Sequence, residues 1–251
     1  MVAGVDCFRA HFSGHEHQYV LIGGAACELI TEEAGFDFRA TKNLDIVLIV
    51  EAHDPAFSGT FMAFVEAGGY EIRQRSEGDR ILYRFAKPST MGDPAMLELF
   101  SNAPHGFELA PGSQLTPIPI AEETASLSAI LLDAGYYAFL EAMGRSLDGV
   151  PVLDEAGLIP FKARAWVDLS RRRAEGEKVD EKEIKKHRND VARLLQLLSA
   201  EATFDLPETI KTDMQAFINA LAGQDDFTPK QFGVAMTKEA VIDRLRHAYN
   251  L

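Results

Sequence analysis

The chain has 251 residues, of which 47% are hydrophobic and 25% are charged, so a disordered chain is excluded and the length suits one large domain or two smaller ones. Its formal net charge of −13 argues against a broadly basic nucleic-acid-binding surface. The sequence shows neither a signal-peptide pattern nor an apolar run long enough to span a bilayer, so we expect a cytoplasmic protein without a membrane partner.

Short apolar runs alternate with helical stretches over the first part of the chain. Strands are predicted at residues 18–22, 44–50, 70–75, 80–85, 96–101, 126–132 and 150–153, the last as an edge strand. Helices are predicted at residues 5–12, 25–33, 56–67 and 136–143. Residues 76–79 predict a hairpin turn, and Pro111, Pro117 and Pro119 predict a loop.

The second part of the chain has a purely helical pattern. Helices are predicted at residues 161–173, 183–198, 207–221 and 238–249, with a short one near Pro229 and Thr237 as the cap of the last. The fold class is therefore α/β (α+β): a mixed sheet with flanking helices over residues 1–155, then a helical domain over residues 156–251. Residues 171–190 are slightly basic, which predicts either a solvated helix face or a local landing site for phosphates.

The stretch from Leu21 to Val50 is the part of the sequence that suggests chemistry. Gly23 and Gly24 separate a strand from a helix, where glycine lets a phosphate approach the backbone and the helix offers unpaired N–H groups. Asp45 lies in the next apolar strand, and an acidic residue there can hold a divalent cation that bridges phosphates. The alternative for Asp45 is a structural carboxylate that pairs with Arg39 or Lys42, because burial of an unpaired carboxylate is costly.

Two further oxygen ligands are predicted around Asp45. Asn43 lies two residues before it, so both side chains are expected on one face of the strand. Glu98 lies on a later strand and completes a carboxylate cluster if that strand is adjacent. His15 and His17 do not have the spacing of a helical metal-binding pair, and we interpret them as loop or cap residues.

These residues carry a resemblance to a known superfamily. The Gly-Gly turn followed by an acidic strand resembles the nucleotidyltransferase superfamily, and the stretch RATKNLDIVL resembles the Arg-x-Thr-x-Asp-x-Asp form of AbiEii-type toxin nucleotidyltransferases. The helical segments LIPFKARAWVDLSRR and KKHRNDVARLLQLL resemble the helical part of that family. The resemblance covers roughly residues 18–200, most of the chain on ordinary domain lengths.

The resemblance implies a Mg²⁺-dependent transfer of a nucleotidyl group from an NTP to a hydroxyl acceptor. RNA is the implied acceptor, and an antitoxin encoded nearby is the implied partner. The implied residues are Gly23, Gly24, Arg39 and Thr41 for the nucleotide, Asn43, Asp45 and Glu98 for the metal, and Asp45, Lys162 and Asp190 for catalysis.

Asn43 departs from the Asp-x-Asp pattern, because an amide oxygen ligates Mg²⁺ but brings no negative charge. Nucleotidyl transfer usually employs two cations held by shared carboxylates. Three alternatives therefore stay open: a nucleotidyltransferase that modifies RNA, a catalytically degenerate protein that binds a nucleotide or a partner, and an enzyme that modifies a small molecule such as an antibiotic.

Overall fold

In the computed structural model, the described residues are 2–49, 55–72, 81–82, 84–101, 115–118, 126–131 and 133–251. The chain divides into a first unit, Met1–Tyr137 with Gly144–Leu153, and a second unit, Ala138–Met143 with Asp154–Leu251. That residues 1–155 and 156–251 are separate domains stays a prediction. Among the described residues, none of the helices combines the length and the hydrophobicity needed to cross a membrane.

A mixed β-sheet forms the centre of the first unit. Its described strands are β1 (Tyr19–Ile22), β2 (Asn43–Leu48), β3 (Glu71–Ile72), β4 (Ile81–Leu82), β5 (Arg84–Ala86), β6 (Met96–Ser101), β7 (Leu115–Ile118), β8 (Ser126–Leu131), β9 (Gly144–Leu147) and β10 (Val150–Leu153). The main order is β3-β5-β6-β2-β1-β10-β9, and β8 pairs with β4, β6 and β7. β2 runs antiparallel to β1 and parallel to β6.

Four helices of the described residues belong wholly or partly to the first unit: α1 (Val5–His11), α2 (Gly23–Glu33), α3 (Pro55–Gly68) and α4 (Ala134–Met143). Aromatic rings connect α1 and α3 to the sheet, since Phe8 stacks on Phe12 at 4.3 Å and meets Tyr19 and Phe64 edge-on. Aromatic pairs in these arrangements contribute about 0.5–1.5 kcal/mol beyond the area that they bury. This cluster therefore fixes the helices that flank β1 and β2.

The second unit is helical, with α5 (Glu155–Ala174), α6 (Glu181–Leu195), α7 (Glu208–Ala222), a 3-10 helix (Pro229–Phe232) and α8 (Lys238–Ala248). Its core includes Trp166 on α5, which meets Phe217 on α7 edge-on at 5.4 Å. Thr237 caps α8 as predicted, because its hydroxyl accepts a hydrogen bond from the Ala240 amide at 3.2 Å.

α5 begins six residues before the predicted start and contains Pro160. Its first turn is capped by Asp154, whose carboxylate accepts from the Gly157 amide at 2.7 Å. A proline at position 160 lacks the N–H that would reach the carbonyl of Ala156. The Tyr249 hydroxyl donates to that carbonyl at 2.7 Å instead. A contact from the far end of the unit thus supplies the hydrogen bond that the proline removes.

The predicted fold class, a mixed sheet with flanking helices and then a helical part, is confirmed, but two local predictions are wrong. Residues 150–153 are not an edge strand, because β10 pairs with both β1 and β9, and β9 itself was not predicted. Pro117 lies in β7 rather than in a loop. β3 and β5 pair antiparallel as the hairpin prediction requires, whereas residues 76–79 lie outside the described residues.

Candidate functional site

The start of α2 meets Asp45 on β2. β1 ends at Ile22, which is the register partner of Asp45, and Gly23 then begins α2 with a φ of +69°. A Cβ atom built on Gly23 would lie 1.8 Å from Asp45 Oδ2. Only glycine allows this approach, since it has no Cβ and readily adopts a positive φ. The sequence therefore places a carboxylate against the first residue of a helix.

Thr41 and Arg39 approach the second glycine of the same turn. A Cβ atom on Gly24 would lie 2.9 Å from Thr41 Oγ1 and 3.5 Å from an Arg39 guanidinium nitrogen. Thr41 Oγ1 is buried and has no hydrogen-bond partner among the described residues. A buried hydroxyl without a partner costs free energy, so it marks a place where an additional polar ligand would be stabilising. Four predicted nucleotide contacts, Gly23, Gly24, Arg39 and Thr41, thus lie around one helix start.

Glu28 on α2 is a polar residue of this region that was not predicted from the sequence. Its side chain is 7% exposed, and Oε2 accepts a hydrogen bond from the Thr41 amide at 2.6 Å. A charged acceptor makes a stronger hydrogen bond than a neutral one, so the contact holds the approach to β2 against α2. An acidic residue within the apolar stretch AACELI is the signal that would have pointed to it.

A row of three charged residues crosses the sheet beside this helix start. Asp45 on β2 is the register partner of Glu98 on the parallel neighbour β6, and Glu98 is in turn the partner of Arg84 on β5. Register partners share a face of the sheet, so the row reads positive, negative, negative. The strand adjacency that the sequence analysis required for Glu98 is therefore present.

Arg84 already pairs with Glu98 within this row. Glu98 is 8% exposed, and Arg84 donates from Nε to Glu98 Oε1 at 3.0 Å and from Nη2 to the same oxygen. A buried carboxylate needs such a partner, because desolvation of an unpaired charge is expensive. Arg84 was not predicted from the sequence, since its partner on β6 lies fourteen residues away.

The donor set around Asp45 fits one hard cation rather than two. Asn43 stands two residues before Asp45 on β2, so the same face offers an amide oxygen, a carboxylate and the arginine-paired carboxylate of Glu98. Mg²⁺ is usually bound through one or two carboxylates together with substrate phosphates. Among the described residues, no group of three or more His, Cys, Asp or Glu side chains is placed to hold a metal ion.

Lys162 and Asp190 form a buried ion pair in the second unit. Lys162 Nζ lies 3.2 Å from Asp190 Oδ2, and the two side chains are 5% and 0% exposed. Arg193 reaches the other oxygen of Asp190 at 3.3 Å. The pair joins α5 to α6, and it is satisfied without any ligand. Its predicted catalytic role stays a prediction.

Comparisons with known proteins give structural neighbours only. No model of a known protein family matches the sequence, and no curated protein matches it. The chain is similar to an antigenic nucleotidyltransferase-like protein from Paracoccidioides brasiliensis, with 15% identity, a TM-score of 0.43 and coverage of 80% of this chain and 79% of that one. It is also similar to the antibiotic-resistance factor ANT(2'')-Ia, with 15% identity, a TM-score of 0.36 and coverage of 85% and 88%. Likenesses this distant identify neither a family nor a substrate.

Proposed function

We propose that this protein is a nucleotidyltransferase that transfers a nucleotidyl group from an NTP to a hydroxyl acceptor. The observation that carries the proposal is the convergence of Asp45, Thr41 and Arg39 on the two glycines that begin α2. A helix start with glycine at its first positions is a natural phosphate site, because its N–H groups are unpaired and its dipole is positive. The carboxylate of Asp45 then holds the cation that accompanies the triphosphate.

Each residue of the site has a distinct task in this proposal. Gly23 and Gly24 let the phosphates approach the backbone, Arg39 offsets phosphate charge, and Thr41 Oγ1 contributes a hydrogen bond for which it has no partner within the described residues. Asp45, with the amide oxygen of Asn43, would hold Mg²⁺, which would polarise the transferred phosphoryl group.

Glu98 and Arg84 explain how such a site works with Asn43 in place of an aspartate. Arg84 supplies Glu98 with a positive partner, so this carboxylate does not depend on a second cation for its charge balance. Glu98 lies between Arg84 and Asp45 in this row, so it holds Arg84 on the face of the sheet that carries Asp45, where the guanidinium offsets charge that develops on the phosphates. The site therefore operates with one metal ion and one arginine.

The proposal also includes the acceptor of the nucleotidyl group and the biological role of the protein. The resemblance of residues 39–48 to AbiEii-type toxin nucleotidyltransferases makes RNA the first acceptor to test, with an antitoxin as the partner. A protein of net charge −13 repels RNA overall, so we expect contact with a short segment such as an RNA end.

The test is a transfer assay with each labelled NTP, Mg²⁺ or Mn²⁺ and total RNA. We expect label on RNA with the natural chain and a loss of at least about 100-fold in Asp45→Asn, which keeps the size of the side chain and removes its charge. Asp37→Asn is the matched control, because Asp37 is an exposed aspartate that precedes the same strand, and it should retain full activity. Equal transfer by natural chain and Asp45→Asn would contradict the proposed site.

A second candidate function is nucleotide binding without transfer. Asn43 favours it, because the site has fewer carboxylates than two-metal catalysis usually employs. Under this candidate, the natural chain binds NTP with Mg²⁺ and transfers nothing, whereas Asn43→Asp gains activity. Calorimetric NTP binding by both chains, measured beside the transfer assay, distinguishes the two candidates.

A further inference from the structure

A groove of about 590 Å³ lies within the helical unit and is not part of the proposed nucleotide site. Its apolar lining comes from Trp166 and Val167 on α5, Ile184 on α6, and Ala216 and Ala220 on α7. The volume falls in the usual range for small-molecule sites, which are mostly apolar with a few placed polar groups. The two alanines are exposed, so they leave the α7 side of the groove open.

A series of charged side chains lines the same groove, and positive and negative charges alternate along it. Arg173 pairs with Glu181 at 3.2 Å, and Glu181 pairs with Lys185 at 2.6 Å. Lys185 continues to Asp226 at 2.9 Å, and Asp226 accepts from Arg188 at 2.8 Å. Three cations thus alternate with two carboxylates, so the lining has an excess of one positive charge in a protein of net charge −13.

Arg188 is the buried member of this series of charged side chains. Its side chain is 4% exposed and makes a two-pronged contact with Asp226, at 2.8 Å from Nη1 and 2.9 Å from Nη2. Its ring neighbour is Phe227, with the guanidinium carbon 5.3 Å from the ring centroid. Nε is buried and makes no hydrogen bond within the described residues. The guanidinium is therefore fixed in place while one of its donors remains unsatisfied.

We propose that this groove binds a small amphiphilic anion, a molecule with an apolar ring or chain and one carboxylate, sulfonate or phosphate group. The apolar body packs against the α5 and α7 lining, and the anionic group lies at Lys185 and Arg188. The excess of one positive charge in the lining favours a monoanion over a cation or a neutral molecule. The groove lies entirely on residues of the second unit, so this site does not depend on the nucleotidyltransferase proposal.

The test uses anilinonaphthalene sulfonate with the full chain, and the uncharged phenylnaphthylamine, which has the same ring system without the sulfonate. Trp166 is the single tryptophan of the chain and lines the groove, so its emission is a second readout of binding. We expect one sulfonate probe per chain, bound about tenfold more tightly than the neutral probe. Lys185→Gln, at a half-exposed position, should weaken binding of the sulfonate probe by about tenfold and leave the affinity for the neutral probe unchanged.

Two phenylalanine substitutions on α7 distinguish probe binding in this groove from probe binding elsewhere on the protein. Ala220→Phe fills the groove and should abolish binding, whereas Asn219→Phe adds the same ring at the neighbouring exposed position outside the lining and should not. Unchanged thermal unfolding of both variants shows that they are folded. Binding that survives Ala220→Phe, or equal affinity for the two probes, would overturn the proposal.

Discussion

At the scale of single residues, the candidate site depends on two glycines, because a Cβ atom at either position would crowd its neighbours. Gly23 lacks the Cβ that would collide with Asp45, and Gly24 lacks the one that would crowd Thr41. Glu28 then holds Thr41 through its backbone amide rather than through its side chain, which leaves Thr41 Oγ1 for a ligand. The site is therefore shaped by backbone approach, which a substitution can test.

Gly23→Ala should be more destabilising than Gly35→Ala, although both glycines flank α2 and have similar positive φ values of +69° and +77°. In Gly35→Ala only the left-handed backbone conformation is penalised, at about 1–2 kcal/mol, because nothing lies within 4 Å of the new Cβ. Gly23→Ala adds the collision with Asp45, which we expect to cost at least about 1 kcal/mol more. Urea unfolding of both variants measures the difference, and equal losses would mean that Asp45 moves aside freely.

At the scale of secondary-structure elements, ion pairs join the helices of the second unit. Lys162 and Asp190 connect α5 to α6, and Arg188 connects α6 to the segment that holds Asp226. Both members of the Lys162–Asp190 pair are buried, so removal of one partner is expected to cost more than the intact pair contributes to stability, because the remaining charge has lost its hydration. The free energy of unfolding of variants at these ion pairs therefore tests their role without the transfer assay.

Lys162→Met should lower the free energy of unfolding by about 3 kcal/mol, because Asp190 stays fully buried and loses the ammonium group 3.2 Å away, while Arg193 still contacts its other oxygen at 3.3 Å. Lys162→Met combined with Asp190→Leu should cost less than the sum of the two single changes, since neither charge is left behind. Lys182→Met on the exposed face of α6 is the control, with an expected change within about 0.5 kcal/mol. Additive losses would show that the two side chains act separately.

Asp226 should make the stability of the second unit sensitive to acid. Hydrogen bonds from Arg188, and then from Lys185, lower the pKa of its carboxyl group well below the usual range. A lowered folded-state pKa gives stability that is present above the unfolded value of about 3.9 and is lost as the pH falls toward the folded one. Asp226→Asn should therefore be less stable than the natural chain at neutral pH, by no more than about 1 kcal/mol because the carboxylate is half exposed.

Urea unfolding of both chains from neutral pH down to about pH 3 measures this effect, the range following from the reference pKa. The difference between them should narrow below about pH 4, where the natural carboxylate begins to lose its ionic advantage. A difference that stays constant over this range would mean that Asp226 contributes through packing rather than through its charge.

At the scale of the whole molecule, the two units differ in how their contacts are organised. The first depends on strand pairs that join distant parts of the sequence, such as β1 with β10. The second consists of consecutive helices around Trp166 and Phe217, and its first helix is capped by Asp154. Local helical contacts form without the loop-closure cost of distant strand pairs. The prediction of two domains can therefore be tested by cutting the chain.

A fragment of residues 154–251 should fold by itself, with helical circular dichroism, a cooperative unfolding transition and buried Trp166 emission. The cut keeps Asp154, because a start at residue 156 would remove the cap of α5, which contributes about 1 kcal/mol. Phe217→Ala in the same fragment should abolish the cooperative transition, since loss of a core phenylalanine costs about 3–5 kcal/mol. A fragment that stays unfolded would contradict the prediction that the helical part is a separate domain.

The sequence by itself determined the fold class, most helices and strands, and the residues around Asp45 that suggest a nucleotide site. It did so because apolar periodicity, caps and glycine turns are local signals. Tertiary structure alone decided that β10 lies inside the sheet, that Tyr249 compensates for Pro160, and that Arg84 pairs with Glu98. Each of these contacts joins positions that local patterns do not connect, since strand neighbours and hydrogen-bond partners are chosen by the packing of the whole unit.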